Sequence, residues 1–513
     1  MSSSRRTLLT IVTSAGWLML GVALNIVALQ RPLFEENQNT KFLHAAAANG
    51  YGFLSHDWMA NTIDPLPAFT LLIETLFKLH SIQIVYVLFP ILLAILLWSL
   101  TGIANRLFGI RRHAAAFALF LGLLFVEEKN MQLGFGTQYL IGHYFQPCVF
   151  GVLIILGIER FLAGARMWAS VALAVGAAFH PAYMPAALLI QGSCTALTIY
   201  RDKKISRDAL LPLMLFIGLS APLLIRYKLL FAYTTPDIGR EAMGILSTQR
   251  IATHTKVSHW LNYEDYISMA IIVISMGMVR KSPLFWIMLP LAAVIAVTVP
   301  LLYFVSWPSL EVLTPWRTSV ILLPLAYTIL AGKLSASLMP LMERKPLARQ
   351  MLLLVGYIGV IAPVMAHLPA QASALFATKE SPEEKLMNFA RHHSTADDLW
   401  LIPTRNGKFD PFRLETGAPI FINLKTHPYK DSEILEWYRR NRKAEAFYKN
   451  EATSSGPALL RALHANYGIT HAVLDSNVPE SLYTGLHICW KDKRYMIVGF
   501  ETTEPSKRIE HHL

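Results

Sequence analysis

Arg280–Phe304, RKSPLFWIMLPLAAVIAVTVPLLYF, decides the fold of this chain. Two cations and a serine precede Pro283–Phe304, 22 residues with no ionisable side chain. As a helix that run is about 33 Å long, enough to cross a hydrocarbon layer of about 30 Å. Cations at one end of such a run stay on the cytoplasmic side, so the stretch gives a direction as well as a class.

The same pattern extends in both directions. Arg5-Arg6, Arg106/Arg111/Arg112, Arg160/Arg166, Arg201/Lys203/Lys204/Arg207 and Arg344/Lys345/Arg349 fall at alternate ends of apolar segments. The segments read as Leu8–Leu29, Ile82–Asn105, Ala114–Val126, Pro147–Arg160, Met167–Phe179, Ala186–Tyr200, Leu210–Leu230, Tyr263–Val279, Pro283–Phe304, Thr318–Leu338 and Met351–His367. About eleven spans are expected, with a cytoplasmic N-terminus and the C-terminal region outside. The run after Arg5-Arg6 has no small-x-small cleavage site and reads as a retained first span rather than a signal peptide. Pro65–Leu79 is short, carries Glu74 and would invert every later basic loop if it crossed, so it is expected to lie along the outer leaflet.

Composition agrees. The 513 residues are 54% hydrophobic and 16% charged, with mean hydropathy +0.40; soluble domains carry about 25% charge. The net charge of +12 is taken up by loops facing anionic lipid, which removes the case for a nucleic-acid partner. Cys148, Cys194 and Cys489 are scattered and suggest neither a disulfide framework nor a metal cluster.

From about Ala370 the chain becomes polar. Helices are expected at Pro382–His392, Ser432–Asn441 and Gly456–Asn466. Strands are expected at Leu399–Pro403, Pro419–Asn423, Thr470–Asp475, Leu486–Trp490 and Tyr495–Phe500. The reading is thus a polytopic α-helical membrane domain over 1–369, including an outer loop 30–81, and an extracytoplasmic α/β domain over 370–513.

Polar candidates gather on the outer side. The first outer loop holds Glu35, Glu36, Asp57 and Asp64. Asp57, between His56 and Trp58, would become a general base if partial desolvation raised its pKa. A solvated loop acid, with Asp64-Pro65 as an ordinary turn and helix start, is the plain alternative. Thr314-Pro-Trp-Arg317 places Trp316 and Arg317 at a span end, suited to phosphate contact or to interfacial anchoring. His143 and Tyr144 in Gly142–Pro147, and His180 in His180–Tyr183, are aromatic-belt residues or ligands. Arg226 and Lys228 break the charge alternation, which points to an anionic lipid head or to snorkelling. In the polar domain Arg405, Arg413, Lys425, Arg439, Arg440 and Arg442 surround Trp437-Tyr438, a glycan surface or an ordinary amphipathic helix.

This layout of a first span, a long acidic outer loop with an interfacial helix, about eleven spans and an outer soluble domain resembles the GT-C class of integral membrane glycosyltransferases. The resemblance implies a polyprenyl-phosphate-linked sugar donor, a glycan, lipid or protein acceptor, and direct displacement at the outer face. It implies Asp57 as the loop acid, with Glu36 of the Glu35-Glu36 doublet competing. It implies phosphate and substrate contacts by Arg317, Trp316, His56, Asp64, His143, Tyr144, His180, Arg226 and Lys228. No cofactor is expected, with a divalent metal as an open option, and a bacterial inner membrane is the expected location by analogy. A transporter or flippase, and a non-catalytic partner in polysaccharide assembly, remain as alternatives. The sequence shows no matching halves with broken helices, which a transporter would favour.

Overall fold

The computed structural model describes residues 3–376 and 381–500. Residues 377–380, the end of the 370–513 domain from 501 onward, and the side chains of Arg5 and Arg6 lie outside the described residues.

Two compact units emerge. The first comprises Met1–Arg31, Gln83–Tyr227 and Ile251–Phe376; the second comprises Pro32–Ile82, Lys228–Arg250 and Ala377–Leu513. The division differs from the boundary at 369/370. The first outer loop joins the polar C-terminal region instead of the spans, and the third loop is split at Arg250/Ile251.

The first unit is helical. Among the described residues six helices are long and apolar enough to cross a membrane: Ile82–Phe108, Pro181–Asp202, Arg207–Leu230, Pro283–Phe304, Pro308–Arg344 and Pro346–Phe376. Ala114–Val126 and Arg166–Phe179 are apolar but shorter, and the first helix, Ser3–Val27, has 25 residues and is apolar over its described part, Thr13–Val27. The chain is therefore an integral membrane protein with six full-length candidate spans among the described residues, where the sequence suggested eleven in all. Tyr263–Met278 has 16 residues and Val152–Leu162 has 11, each below spanning length as a straight helix.

Sequence chemistry sets the ends. Pro283 and Pro346 occupy the first helical turn, where the missing N–H costs nothing. Ser282 Oγ accepts from the N–H of Leu284 at 3.2 Å. Gly109, at φ 69°, closes Val85–Phe108 in the left-handed region just before Arg111 and Arg112. Small residues set the closest packing. A Cβ on Gly356 would stand 2.4 Å from the carbonyl carbon of Ala118, and one on Gly122 would stand 2.6 Å from the oxygen of Gly356, so Ala114–Val126 and Pro346–Phe376 meet backbone to backbone. Only 6% of the apolar window in Pro346–Phe376 is buried by protein, leaving the rest for lipid.

The second unit holds a four-stranded sheet of β1 (Trp400–Leu401), β2 (His471–Asp475), β3 (His487–Lys491) and β4 (Tyr495–Gly499) in the order β1-β2-β4-β3. β1 and β2 are parallel, while β4 runs antiparallel to both neighbours. Helices Pro382–His393 and Gly456–Tyr467 appear where the apolar periodicity placed them, while the charged helix expected at Ser432–Asn441 runs on to Asn450 as Asp431–Asn450. Pro419–Asn423 is not a strand; it makes one bridge, Ile420 to Trp400. Leu386, Trp400, Phe412, Val473 and Ile497 share the core. The first outer loop enters this unit at a backbone contact only glycines permit, where Phe53 N–H donates to Gly417 O at 2.7 Å and a Cβ on Gly52 would lie 2.4 Å from Gly417 Cα. Its helix Pro67–Lys78 has 12 residues, about 18 Å, and is too short to span.

Candidate functional site

In the membrane unit the best-built polar cluster lies at the start of two candidate spans. Pro308–Leu313 ends at Thr314, a non-glycine residue at φ 45°, and the chain turns through Pro315–Thr318 into helix Ser319–Ser337. Such a conformation costs an L-residue about 1 kcal/mol or more, so surrounding packing must hold it. The turn presents Arg317. Arg166–Phe179 ends at His180, and Pro181 redirects the chain into the next helix.

Arg317 Nη1 lies 2.7 Å from His180 Nε2. A guanidinium only donates, so His180 Nε2 accepts and the ring is neutral with its proton on Nδ1. The His180 ring meets Tyr183 edge to face at 4.8 Å, and Tyr183 OH donates to Cys148 O at 2.9 Å. Gln146 Nε2 donates to Tyr139 OH at 2.9 Å. Arg317 and Tyr139 are both close enough to Tyr183 to act on it electrostatically. Tyr183 is buried with its hydroxyl committed to Cys148, so the half-buried guanidinium of Arg317 is the group in this cluster suited to an oxygen anion.

Trp316 differs from its neighbour. It is fully buried, 5.1 Å from Trp260, which in turn stacks on Phe135 at 6.2 Å. It is core and has no face for a sugar. His143 Nδ1 donates to Ala28 O at 2.6 Å, and its ring meets Tyr144 edge to face, tying the loop to the end of the first helix. Arg226 is half-buried near the end of Arg207–Leu230; Lys228 is exposed and belongs to the second unit.

Glu128 lies in the same unit and escaped the sequence reading. It is 5% exposed, its Oε1 has no hydrogen-bond partner, and burial pushes its carboxyl up to about 7. Its helix, Glu128–Gln132, packs on Ser319–Ser337. The signal was a Glu127-Glu128 pair directly after the apolar run Ala114–Val126.

The second unit places the loop acids. Asp57 is fully buried. Its Oδ2 accepts from Arg413 Nε at 2.7 Å and from Ile420 N–H at 3.0 Å; its Oδ1 accepts from Ala60 N–H at 3.0 Å. Arg413 is 2% exposed and also donates to Asn423 Oδ1 at 3.1 Å. An enclosed carboxylate with both oxygens engaged has no approach for an acceptor hydroxyl, so the desolvated, open base expected at Asp57 is replaced by a buried ion pair. His56 is exposed beside it. Asp64 Oδ1 accepts from Leu66 N–H at 2.8 Å, the turn-forming role foreseen as the plain alternative. Glu36 is exposed and pairs with Lys425 at 2.6 Å. Asp410, near Lys425, Glu36, Arg250 and Arg413, is pushed up to about 6 by burial against the pull of the three cations. Trp437 is fully buried and donates to Asn423 O at 3.2 Å, so it is core and not a glycan platform. Among the described residues no group of three or more His, Cys, Asp or Glu could hold a metal ion.

A model of a domain of unknown function (DUF6798) matches residues 381–444. No curated protein matches the sequence. Among solved structures the chain is similar to the crystal structure of ArnT from Cupriavidus metallidurans bound to undecaprenyl phosphate, at 13% identity and a TM-score of 0.45 over 98% of this chain and 100% of that one.

Proposed function

We propose that this protein is a membrane glycosyltransferase that uses a polyprenyl-phosphate-linked sugar at the extracytoplasmic face. The observation that supports it most is the Arg317–His180 pair, set by the starts of two candidate spans beside Tyr139 and Tyr183. A lipid phosphate reaching a span end meets a cation there. The negative charge that develops on the leaving phosphate in a direct displacement would be stabilised by a guanidinium already oriented by its neighbour. By the charge rule this cluster would face the outside and the N-terminus the cytoplasm, the topology of a bacterial inner-membrane protein. Of the two loop acids, Glu36 is the one whose carboxylate remains exposed, and Glu36→Gln is the variant that tests base chemistry; Asp57 we assign to structure.

Purified protein in liposomes, supplied with radiolabelled polyprenyl-phosphate sugars and an extract of envelope acceptors, should release polyprenyl phosphate. Arg317→Ala should weaken donor binding about ten- to 150-fold, the worth of a charge-assisted contact of about 1.5–3 kcal/mol. Wild-type protein that neither binds polyprenyl phosphate nor turns over any donor sinks the reading. Unchanged donor affinity in Arg317→Ala makes the arginine an interfacial anchor.

A further inference from the structure

Arginines of the membrane unit converge on one buried acid. Ser3–Val27 and Val152–Leu162 both pack against Val85–Phe108, which runs on into the turn Ile110–Arg112. Glu159, near the end of Val152–Leu162, is 1% exposed. A Cβ on Gly102 would stand 2.7 Å from its Oε1, so the bare glycine makes room for the carboxylate between the two helices. A buried carboxylate must be paired. Arg106 Nη2 donates to Oε1 at 3.3 Å, and Arg160 Nε donates to Oε2 at 2.5 Å. The Arg160 guanidinium also lies over the Trp98 ring at 4.3 Å. Arg111, whose N–H donates to Asn105 Oδ1 at 3.0 Å, holds its guanidinium over the Trp17 ring at 5.6 Å. It is within electrostatic reach of both Glu159 and Arg106.

The charges here do not balance. Arg106, Arg111 and Arg160 bring three positive charges to Glu159, and residues 3–27, 85–112 and 152–162 contain no other acid. Each guanidinium has five N–H donors, far more in sum than two carboxylate oxygens accept. The Arg106 side chain is 42% exposed, that of Arg160 is 28% exposed, and Arg111 is exposed, so the surplus donors are open to the surroundings. Indole rings beneath the cations mark the depth of lipid headgroups, where the concentrated anionic acceptor is phosphate. We propose that Arg106, Arg111 and Arg160 form a binding site for the phosphodiester headgroup of an anionic phospholipid. Glu159 is the positioning residue that aims Arg106 and Arg160, and Trp98 and Trp17 are the faces on which Arg160 and Arg111 rest. The arginine fork matches phosphate oxygens two at a time. The surplus of positive charge selects against a zwitterionic headgroup, whose own ammonium would meet the arginines. None of these residues takes part in the proposed transfer chemistry.

Full-length protein purified in detergent and stripped of lipid tests this by native mass spectrometry with added dioleoylphosphatidylglycerol or dioleoylphosphatidylcholine. The wild type should retain phosphatidylglycerol far better than phosphatidylcholine. The double variant Arg106→Gln, Arg111→Gln leaves Arg160 to pair with Glu159 and should bind phosphatidylglycerol about thirtyfold more weakly, about fivefold per arginine. Lys203→Gln with Lys204→Gln removes the same charge from another exposed basic turn and should change the affinity little. Inorganic phosphate in large excess should not displace the lipid. Equal retention of the two lipids by the wild type overturns the proposal without reliance on any variant. So does an unchanged affinity in a folded double-arginine variant. An equal loss in the lysine variant would make the binding a general attraction to positive charge, and displacement by inorganic phosphate would make the site one for the free ion; either result also overturns it.

Discussion

Asp57 shows how a residue changes meaning once its neighbours are known. Breaking a buried ion pair from one side leaves the other charge uncompensated, at a cost of about 3–5 kcal/mol. Asp57→Asn is therefore expected to lower the stability of the second unit by that order, read as an earlier denaturant midpoint, with Arg413→Ala behaving alike. An Asp57→Asn protein of wild-type stability but no transferase activity would return Asp57 to the role of base. Asp410 is where pH should act. Its proton stays until about pH 6 in the folded chain but leaves near 3.9 in the unfolded one. The folded state thus holds the extra proton in that window, and stability falls as pH rises through it. Asp410→Asn should gain about 1–3 kcal/mol by denaturant titration at roughly pH 7.5 and nothing near pH 4. Neither burial was legible in the sequence. Arg413 lies 356 positions from Asp57, and no local pattern announces a partner that far away.

Elements were more legible than their ends. Proline in the first turn, serine before it and glycine after the last turn are local chemistry, and they placed Pro283–Phe304 and Gly456–Tyr467 within a residue or two. Pro419–Asn423 failed because a short apolar run reads alike as a strand or as extended core chain, and only a neighbouring strand decides. The helix pair at Gly122 and Gly356 was not singled out, since glycine in an apolar helix signals a close approach without naming the partner. Gly356→Leu is expected to separate Ala114–Val126 from Pro346–Phe376 and lower thermal stability in detergent, whereas Gly277→Leu, with open space around it, should change little. Equal melting of the two variants would mean that the contact contributes nothing.

For the whole molecule, charge alternation is the testable statement. Reporter fusions after Arg112 and Lys204 should give cytoplasmic signal, and a fusion after Gly499 should give none; cytoplasmic activity there inverts the topology and the placement of the Arg317 cluster with it. The division into two units carries a further consequence, one of timing. The second unit gathers Pro32–Ile82, Lys228–Arg250 and the C-terminal chain. A ribosome adding about 5–20 residues per second would need roughly 20–70 s to make the stretch between Asp57 and Arg413. Throughout that interval the first outer loop is a newborn segment without its mate, dependent on water, lipid or a chaperone to keep its carboxylate solvated. A nascent chain released after Phe376 should therefore carry a protease-sensitive loop at 32–82, and the last quarter of the protein acts, in biosynthetic terms, as the latch that ends its vulnerability.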